Sequence, residues 1–175
     1  AAQSLASLVG MAGTLLICAP TAVKLSQKFG KKELATAGAI VGAVSYLLCF
    51  FLRPANPFVY VAFAAVATVS MGYFNTVVWA MITDVIDDTE VRTGVREDGT
   101  VYSVYSFARK LGQAISSGLI GGLLTMIGYS EATAFDPAVT GKIFNLACLA
   151  PFAGFVALAL ILMFLYPLNK TRVEQ

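Results

Sequence analysis

The sequence predicts an all-α polytopic membrane bundle. Of its 175 residues, 58% are hydrophobic and 13% charged, the mean hydropathy is +0.77, and the apolar residues form long runs joined by short polar connections. Soluble domains carry roughly 45–50% apolar and about 25% charged residues, so this surface suits hydrocarbon better than water. Five runs reach the about 20 residues that a membrane helix needs: 5–23, 34–52, 58–83, 99–128 and 143–168. The connections leave no room for a soluble domain, and residues 1–175 read as one helical unit.

Several function classes drop out on composition. A net charge of +2, from 12 basic and 10 acidic residues, offers no field for nucleic acid. There is no histidine, and Cys18, Cys49 and Cys148 stand apart in apolar stretches, which removes the common metal and thiol chemistries. The first 23 residues carry no charge, so they lack the basic leader of a signal peptide.

The first span, 5–23, ends at a basic connection holding Lys24, Lys28, Lys31 and Lys32. The second, 34–52, is apolar nearly all round, and Gly38 and Gly42 share one helix face where a neighbouring backbone can approach closely. A turn through Arg53, Pro54, Asn56 and Pro57 leads to the third span. There Asn75, Trp79 and Thr83 recur at i, i+4 and i+8, so an amide, an indole and a hydroxyl share a face. Such a surface suits a sugar ring, whose CH face stacks on an aromatic ring while its hydroxyls take polar partners; simple packing is the alternative for Trp79.

The connection between the third and fourth spans holds Asp84, Asp87, Asp88, Glu90, Arg92, Arg96, Glu97 and Asp98. Exposed ion pairs are individually worth about 0–1 kcal/mol, so a lattice of them can exchange as helices rock; the bland alternative is a solvated loop. Asp84 and Asp87 are expected to pair with Arg92 or Arg96, or with the lysines after the first span.

The fourth span contains Arg109 and Lys110, about ten residues from its start. At 1.5 Å per residue Lys110 would lie roughly 15 Å deep, near the centre of a hydrocarbon layer about 30 Å thick. Even low estimates put a charge there at about 2.5–3.5 kcal/mol, so it is expected to face water or a partner. Ser103, Ser106, Lys110, Gln113 and Ser117 fall within an arc of about 80° and form a polar stripe. Lys110, Ser106 and Gln113 are assigned to a cavity, with Asn75, Trp79 and Thr83 opposite, and Arg109 to the cytoplasmic gate. The fifth span, 143–168, carries Asn145 and Pro151 within an apolar run.

Eight basic residues, Lys24, Lys28, Lys31, Lys32, Arg92, Arg96, Lys170 and Arg172, fall on one side of this topology, and only Arg53 and Lys142 on the other. The C-terminus is therefore expected in the cytoplasm and the start of the first span outside. An outside start without a leader is read as the mark of a lost preceding helix.

The run from Asp84 through Asp87, Glu90, Arg92, Gly94, Arg96 and Gly99, followed by Tyr102, Ser103, Phe107, Lys110 and Gly112, resembles the glycoside-pentoside-hexuronide:cation symporters. These belong to the major facilitator superfamily, with twelve helices in two halves. The resemblance spans essentially the whole chain and implies that the five spans are helices eight to twelve, in the C-terminal half without its first helix. The connection Lys24–Lys32 also resembles the superfamily's loop between helices eight and nine, with Val23 and Gln27 standing where that motif has Gly and Asp. Lys110 matches the family's helix-eleven lysine near sugar and ion. Asp84, Asp87, Glu90, Arg92 and Arg96 match the charges of its inner gate.

The resemblance implies a non-enzymatic sugar symporter of the cell membrane that works by alternating access. Its partners would be the bilayer, the N-terminal half and a sugar or glycoside. No cofactor is expected beyond a coupling Na+ or H+, bound mainly by the N-terminal half. Alternatives are a lipid or lysolipid carrier of the same superfamily, a five-helix scaffold, and a membrane enzyme using Ser106 and Lys110 as a nucleophile and base.

Overall fold

The computed structural model describes residues 8, 12, 18–54, 56–130, 132–133 and 135–168. Most of the expected first span, and Lys170 and Arg172, lie outside them. The described residues form five helices: α1 (Ala19–Phe29), α2 (Lys31–Leu52), α3 (Pro57–Thr93), α4 (Asp98–Met126) and α5 (Pro137–Leu160). A π-turn, Ile161–Leu165, continues α5.

Local chemistry sets the boundaries. Gly30, at φ 102°, breaks the chain between α1 and α2, so Lys28, Lys31 and Lys32 sit at two helix ends and Lys24 within α1 rather than in an open loop. Pro57 and Pro137 occupy first-turn positions, where their missing N–H costs nothing. The side chains of Asn56 and Asp136 accept hydrogen bonds from the backbone N–H groups of Phe58 and Ala138. Gly94, in the left-handed region at φ 72°, ends α3 with its N–H donating to Glu90 O at 2.8 Å.

α3 overruns its expected end at 83 by ten residues. The acidic segment through Thr93 is helix, not loop. Thr89 and Thr93 donate to the carbonyls of Val85 and Thr89, Arg92 pairs with Asp88 one turn back, and Ile86 is buried at 1% exposure. These local bonds and one anchoring side chain hold a helix that the apolar run alone does not support.

α2 is the centre of the packed part, with α3 along one side and α5 along another. A side-chain carbon at Gly38 would lie 2.9 Å from Ser70 O of α3, and one at Gly42 would lie 2.6 Å from the Phe155 ring of α5. The two glycines therefore admit two different neighbours at close range. Ser45 donates to Phe63 O of α3 at 2.8 Å. Ala22, Leu34, Ala35, Val77, Met81 and Leu162 form the core near the lysine end. The outward stripe of α2, Ile40, Val41, Val44, Leu48 and Phe51, is exposed and wholly apolar, a surface suited to lipid.

The 22 residues of α2 span about 33 Å, close to one hydrocarbon thickness. Charges mark both its ends: Lys31 reaches Asp84 at one, and Arg53 donates to Asn145 of α5 at the other. Among the described residues, three helices are long and apolar enough to cross a membrane: Lys31–Leu52, Pro57–Thr93, and Pro137–Leu165 with its π-turn. α4 has the length, at 29 residues, but falls short of them in apolarity because of its serines, Gln113, Arg109 and Lys110. None of its residues is buried.

Candidate functional site

The expected site residues fall into two places. At the lysine end of the bundle, α2, α3 and the end of α5 converge. Lys31 Nζ donates to Asp84 Oδ1 at 2.6 Å and to Ala80 O at 3.5 Å, and the Asp84 side chain is only 9% exposed. Lys32 Nζ donates to Tyr166 O at 2.7 Å and to Met163 O at 3.3 Å, while the Tyr166 hydroxyl donates to Met81 O. Two adjacent lysines thus tie α3 on one side and the end of α5 on the other.

One turn beyond lies a second, exposed cluster. Arg96, in the short connection after α3, donates to Asp87 at 3.0 Å, Glu90 at 2.8 Å and Asp98 at 2.9 Å. These acids come from the end of α3 and the first turn of α4, so one guanidinium fixes the corner between the helices. Its hydrogen bonds to the Glu90, Asp98 and Asp87 carboxylates, that to Glu90 counting most, hold its pKa above the usual arginine value. Arg92 takes no part in this cluster and stays on Asp88, at 3.6 Å. Of the pairings expected for Asp84 and Asp87, Lys31 with Asp84 and Arg96 with Asp87 form, while Arg92 reaches neither.

Arg109 stands apart from both clusters. It lies 11 residues into α4 from Asp98, about 16 Å along the axis. That exceeds an arginine's reach, and among the described residues Arg109 has no ion pair. The described residues do not bring it to the other gate charges.

The second place is where α3 and α4 meet. Val101, Tyr102 and Tyr105 of α4 pack on Val78, Ile82 and Ile86 of α3. Trp79 stands beside both tyrosines, edge-on to Tyr105 with ring centroids 5.3 Å apart and tilted against Tyr102 at 6.2 Å. Trp79 is still 46% exposed. Asn75 and Thr76, one turn earlier on α3, are exposed, and the Thr83 hydroxyl donates back to Trp79 O at 3.2 Å. Ser106, Lys110 and Gln113 are exposed on α4. The described residues do not bring them against Asn75, Trp79 and Thr83 to close a cavity; the two polar surfaces share an edge at the Trp79–Tyr105 contact and diverge beyond it.

Three participants escaped the sequence reading. Tyr105 carries the contact with Trp79, and its i, i+3 spacing from Tyr102 was the available signal. Lys32 and Tyr166 meet across 134 positions, which no local pattern reveals. Elsewhere, an open apolar recess of about 370 Å³ lined by Phe58, Val59, Ala62, Phe63 and Val66 lies at the far end of α3 and offers no polar group. Among the described residues, no group of three His, Cys, Asp or Glu side chains is placed to hold a metal ion.

Long apolar helices, a lysine-sealed end and a charged polar helix define a multi-pass membrane protein. A family model described as MFS/sugar transport protein matches residues 1–170, and the chain belongs to that family. It is 36% identical over 160 residues to a candidate sulfoquinovose importer of Escherichia coli (strain K12), covering 91% of this chain and 33% of that protein. It is 33% identical over 157 residues to the glucuronide carrier protein homolog of the same organism, covering 90% and 34%. An uncharacterized symporter of Bacillus subtilis (strain 168), YjmB, is 36% identical over 153 residues, covering 87% and 33%. The chain thus spans about a third of the length of these relatives. No solved structure matches it.

Proposed function

We infer that the chain is the C-terminal part of a secondary active sugar:cation symporter that works by alternating access. The observation that carries this reading is the match of residues 1–170 to the MFS/sugar transport family. Relatives named for sulfoquinovose, a glucuronide and symport support it. In this reading the well-packed core of α2, α3 and α5 moves as one body, and α4, which meets it through a few side-chain contacts and an exposed charge cluster, moves against it.

In this reading Lys110, Ser106 and Gln113 line the substrate path, and Asn75, Trp79 and Thr83 form its wall on α3. Asp84, Asp87, Glu90, Arg92 and Arg96 hold the cytoplasmic side shut, and the C-terminus is cytoplasmic. The partly buried Lys31–Asp84 pair is the firmer part of that closure, because the Asp84 carboxylate is largely withdrawn from solvent and depends on its counter-charge. The Arg96 cluster is the exchangeable part, being open to water. The coupling Na+ or H+ is bound mainly by the other half, since α4 carries no acid between Gly99 and Met126. The protein moves its substrate without changing it chemically.

The test is counterflow with the full-length protein in proteoliposomes, comparing radiolabelled glycosides with lysophospholipids under a Na+ or H+ gradient. Cation-driven glycoside exchange is expected. Exchange of lysophospholipid alone would replace this reading with that of a lipid carrier.

A further inference from the structure

Cys49 and Cys148 stand far apart in the sequence, and the fold brings their side chains together. α2 and α5 run antiparallel: Lys32 at the start of α2 meets Met163 and Tyr166 beyond the end of α5, and Arg53 just after α2 meets Asn145 near the start of α5. Between those ends Gly42 faces the Phe155 ring. Cys49 lies seven residues further along α2 and Cys148 seven residues back along α5. Both steps advance about 10 Å in the same direction and drift only about 20° around each helix, so the register sets sulfur opposite sulfur. The two side chains lie within hydrogen-bond contact of each other, both residues are 0% exposed, and both thiols are free.

The surroundings decide what such a pair can do. Two ring pairs stand around it, Tyr46 with Phe155 at 6.1 Å between centroids and Tyr60 with Phe144 at 6.2 Å. Two thiolates on a soft monovalent metal ion would carry a net negative charge into this aromatic enclosure, and the nearest cation, Arg53, is turned to Asn145 and the Phe50 ring. A disulfide is neutral and suits the same enclosure. The pair is also within reach of water from one end, since Cys49 lies one turn, about 6 Å, inside the exposed Arg53–Asn145 contact.

We propose that Cys49 and Cys148 are a peroxide-oxidisable thiol pair that closes into a disulfide and fastens α2 to α5. The inference is independent of the transport reading. Hydrogen peroxide is the oxidant, small and uncharged enough to enter between packed helices. One sulfur attacks the O–O bond, which breaks to give a sulfenic acid, S–OH, and one water. The second sulfur then displaces that hydroxyl, which leaves as water with the second thiol's proton as the S–S bond forms. Two thiols together lose two electrons and two protons, and one peroxide is reduced to two waters. Cys18 is the internal comparison: it is as buried as the pair, but its thiol donates to Val69 O of α3 at 3.2 Å.

The test treats the full-length protein in detergent with hydrogen peroxide, alkylates the remaining thiols after unfolding, and maps the peptides by mass spectrometry. A linked Cys49–Cys148 peptide, lighter than its two parts by two hydrogens, is expected, with Cys18 alkylated as a free thiol and both linked thiols restored by dithiothreitol. The peroxide-treated protein should unfold at least about 2 °C above the same sample after dithiothreitol, a comparison in which methionine oxidation cancels because dithiothreitol does not reverse it. That difference should vanish in Cys49→Ser and in Cys148→Ser. Free thiols at both positions after peroxide overturn the proposal, as does oxidation of each to sulfinic acid without a link. A link to Cys18 at the same rate, or a Cys49–Cys148 link that leaves the unfolding midpoint where it is after reduction, overturns it equally. The peptide map is read on the wild type, so it stands whether or not the serine variants fold.

Discussion

α2 and α4 make an instructive pair. Both are long, both are rich in apolar side chains, and each has two glycines four residues apart. In α2 those glycines are filled from outside, by Ser70 O at one and the Phe155 ring at the other. Around Gly118 and Gly122 of α4 a side-chain carbon would meet nothing within 4 Å. Eight residues of α2 are buried and none of α4. Small residues state that a helix can be approached closely; they do not state which helix does it. What distinguishes α4 is its polar stripe and its two cations; in the transport reading α2 is the packed helix and α4 the one that faces the substrate path.

This contrast can be broken by substitution, most forcefully in the core. In the 175-residue chain purified in detergent, Gly42→Leu places bulk into the Phe155 ring and is expected to cost about 3 kcal/mol. Gly118→Leu, with open space around it, should change thermal stability by less than about 0.5 kcal/mol. Equal losses would mean that α4 is as tightly packed as α2.

A smaller effect is expected at the sealed end. Asp84→Asn leaves a partly buried Lys31 without its counter-charge and should cost about 2 kcal/mol, read by thermal unfolding. Lys31→Met alone should cost a similar amount, and the double variant less than the sum of the two. Strict additivity would show that the pair contributes nothing as a pair.

Less again is expected from the exposed cluster. Arg96→Ala should lower stability by under about 1 kcal/mol, because all four side chains are open to solvent. Its larger consequence is kinetic. Amides from Glu90 to Tyr102, at the α3–α4 corner, should exchange faster, and cysteines introduced on the cytoplasmic side of full-length protein should be labelled faster; an unchanged labelling pattern would remove the gate role.

Sequence and structure agree where the physics is local. Periodicity and length located α2 and the body of α3, and the turn residues Asn56 and Pro57 marked a start that the cap explains. The end of α3 was misjudged because hydropathy stops at Thr83 while hydrogen bonding and Ile86 carry the helix on to Thr93. α4 was placed with the spans on its length, although its charges and hydroxyls lower its apolarity below that of α2, α3 and α5. At the site, Asp87 with Arg96 could be expected from proximity along the chain. Lys32 with Tyr166 could not, because it depends on how α5 returns to α2. The surface that Lys110 and Gln113 would complete lies across from α4, where no described residue stands.

The central claim is that α4's stripe lines the path of a transported sugar, and Lys110→Met in the full-length transporter tests it most directly. Lys110 is exposed and unpaired among the described residues, so the variant should be made and folded at wild-type levels. Glycoside uptake driven by a cation gradient should fall at least about tenfold, the scale of one lost charge-assisted contact. Uptake at the wild-type rate, at equal expression, would contradict the account.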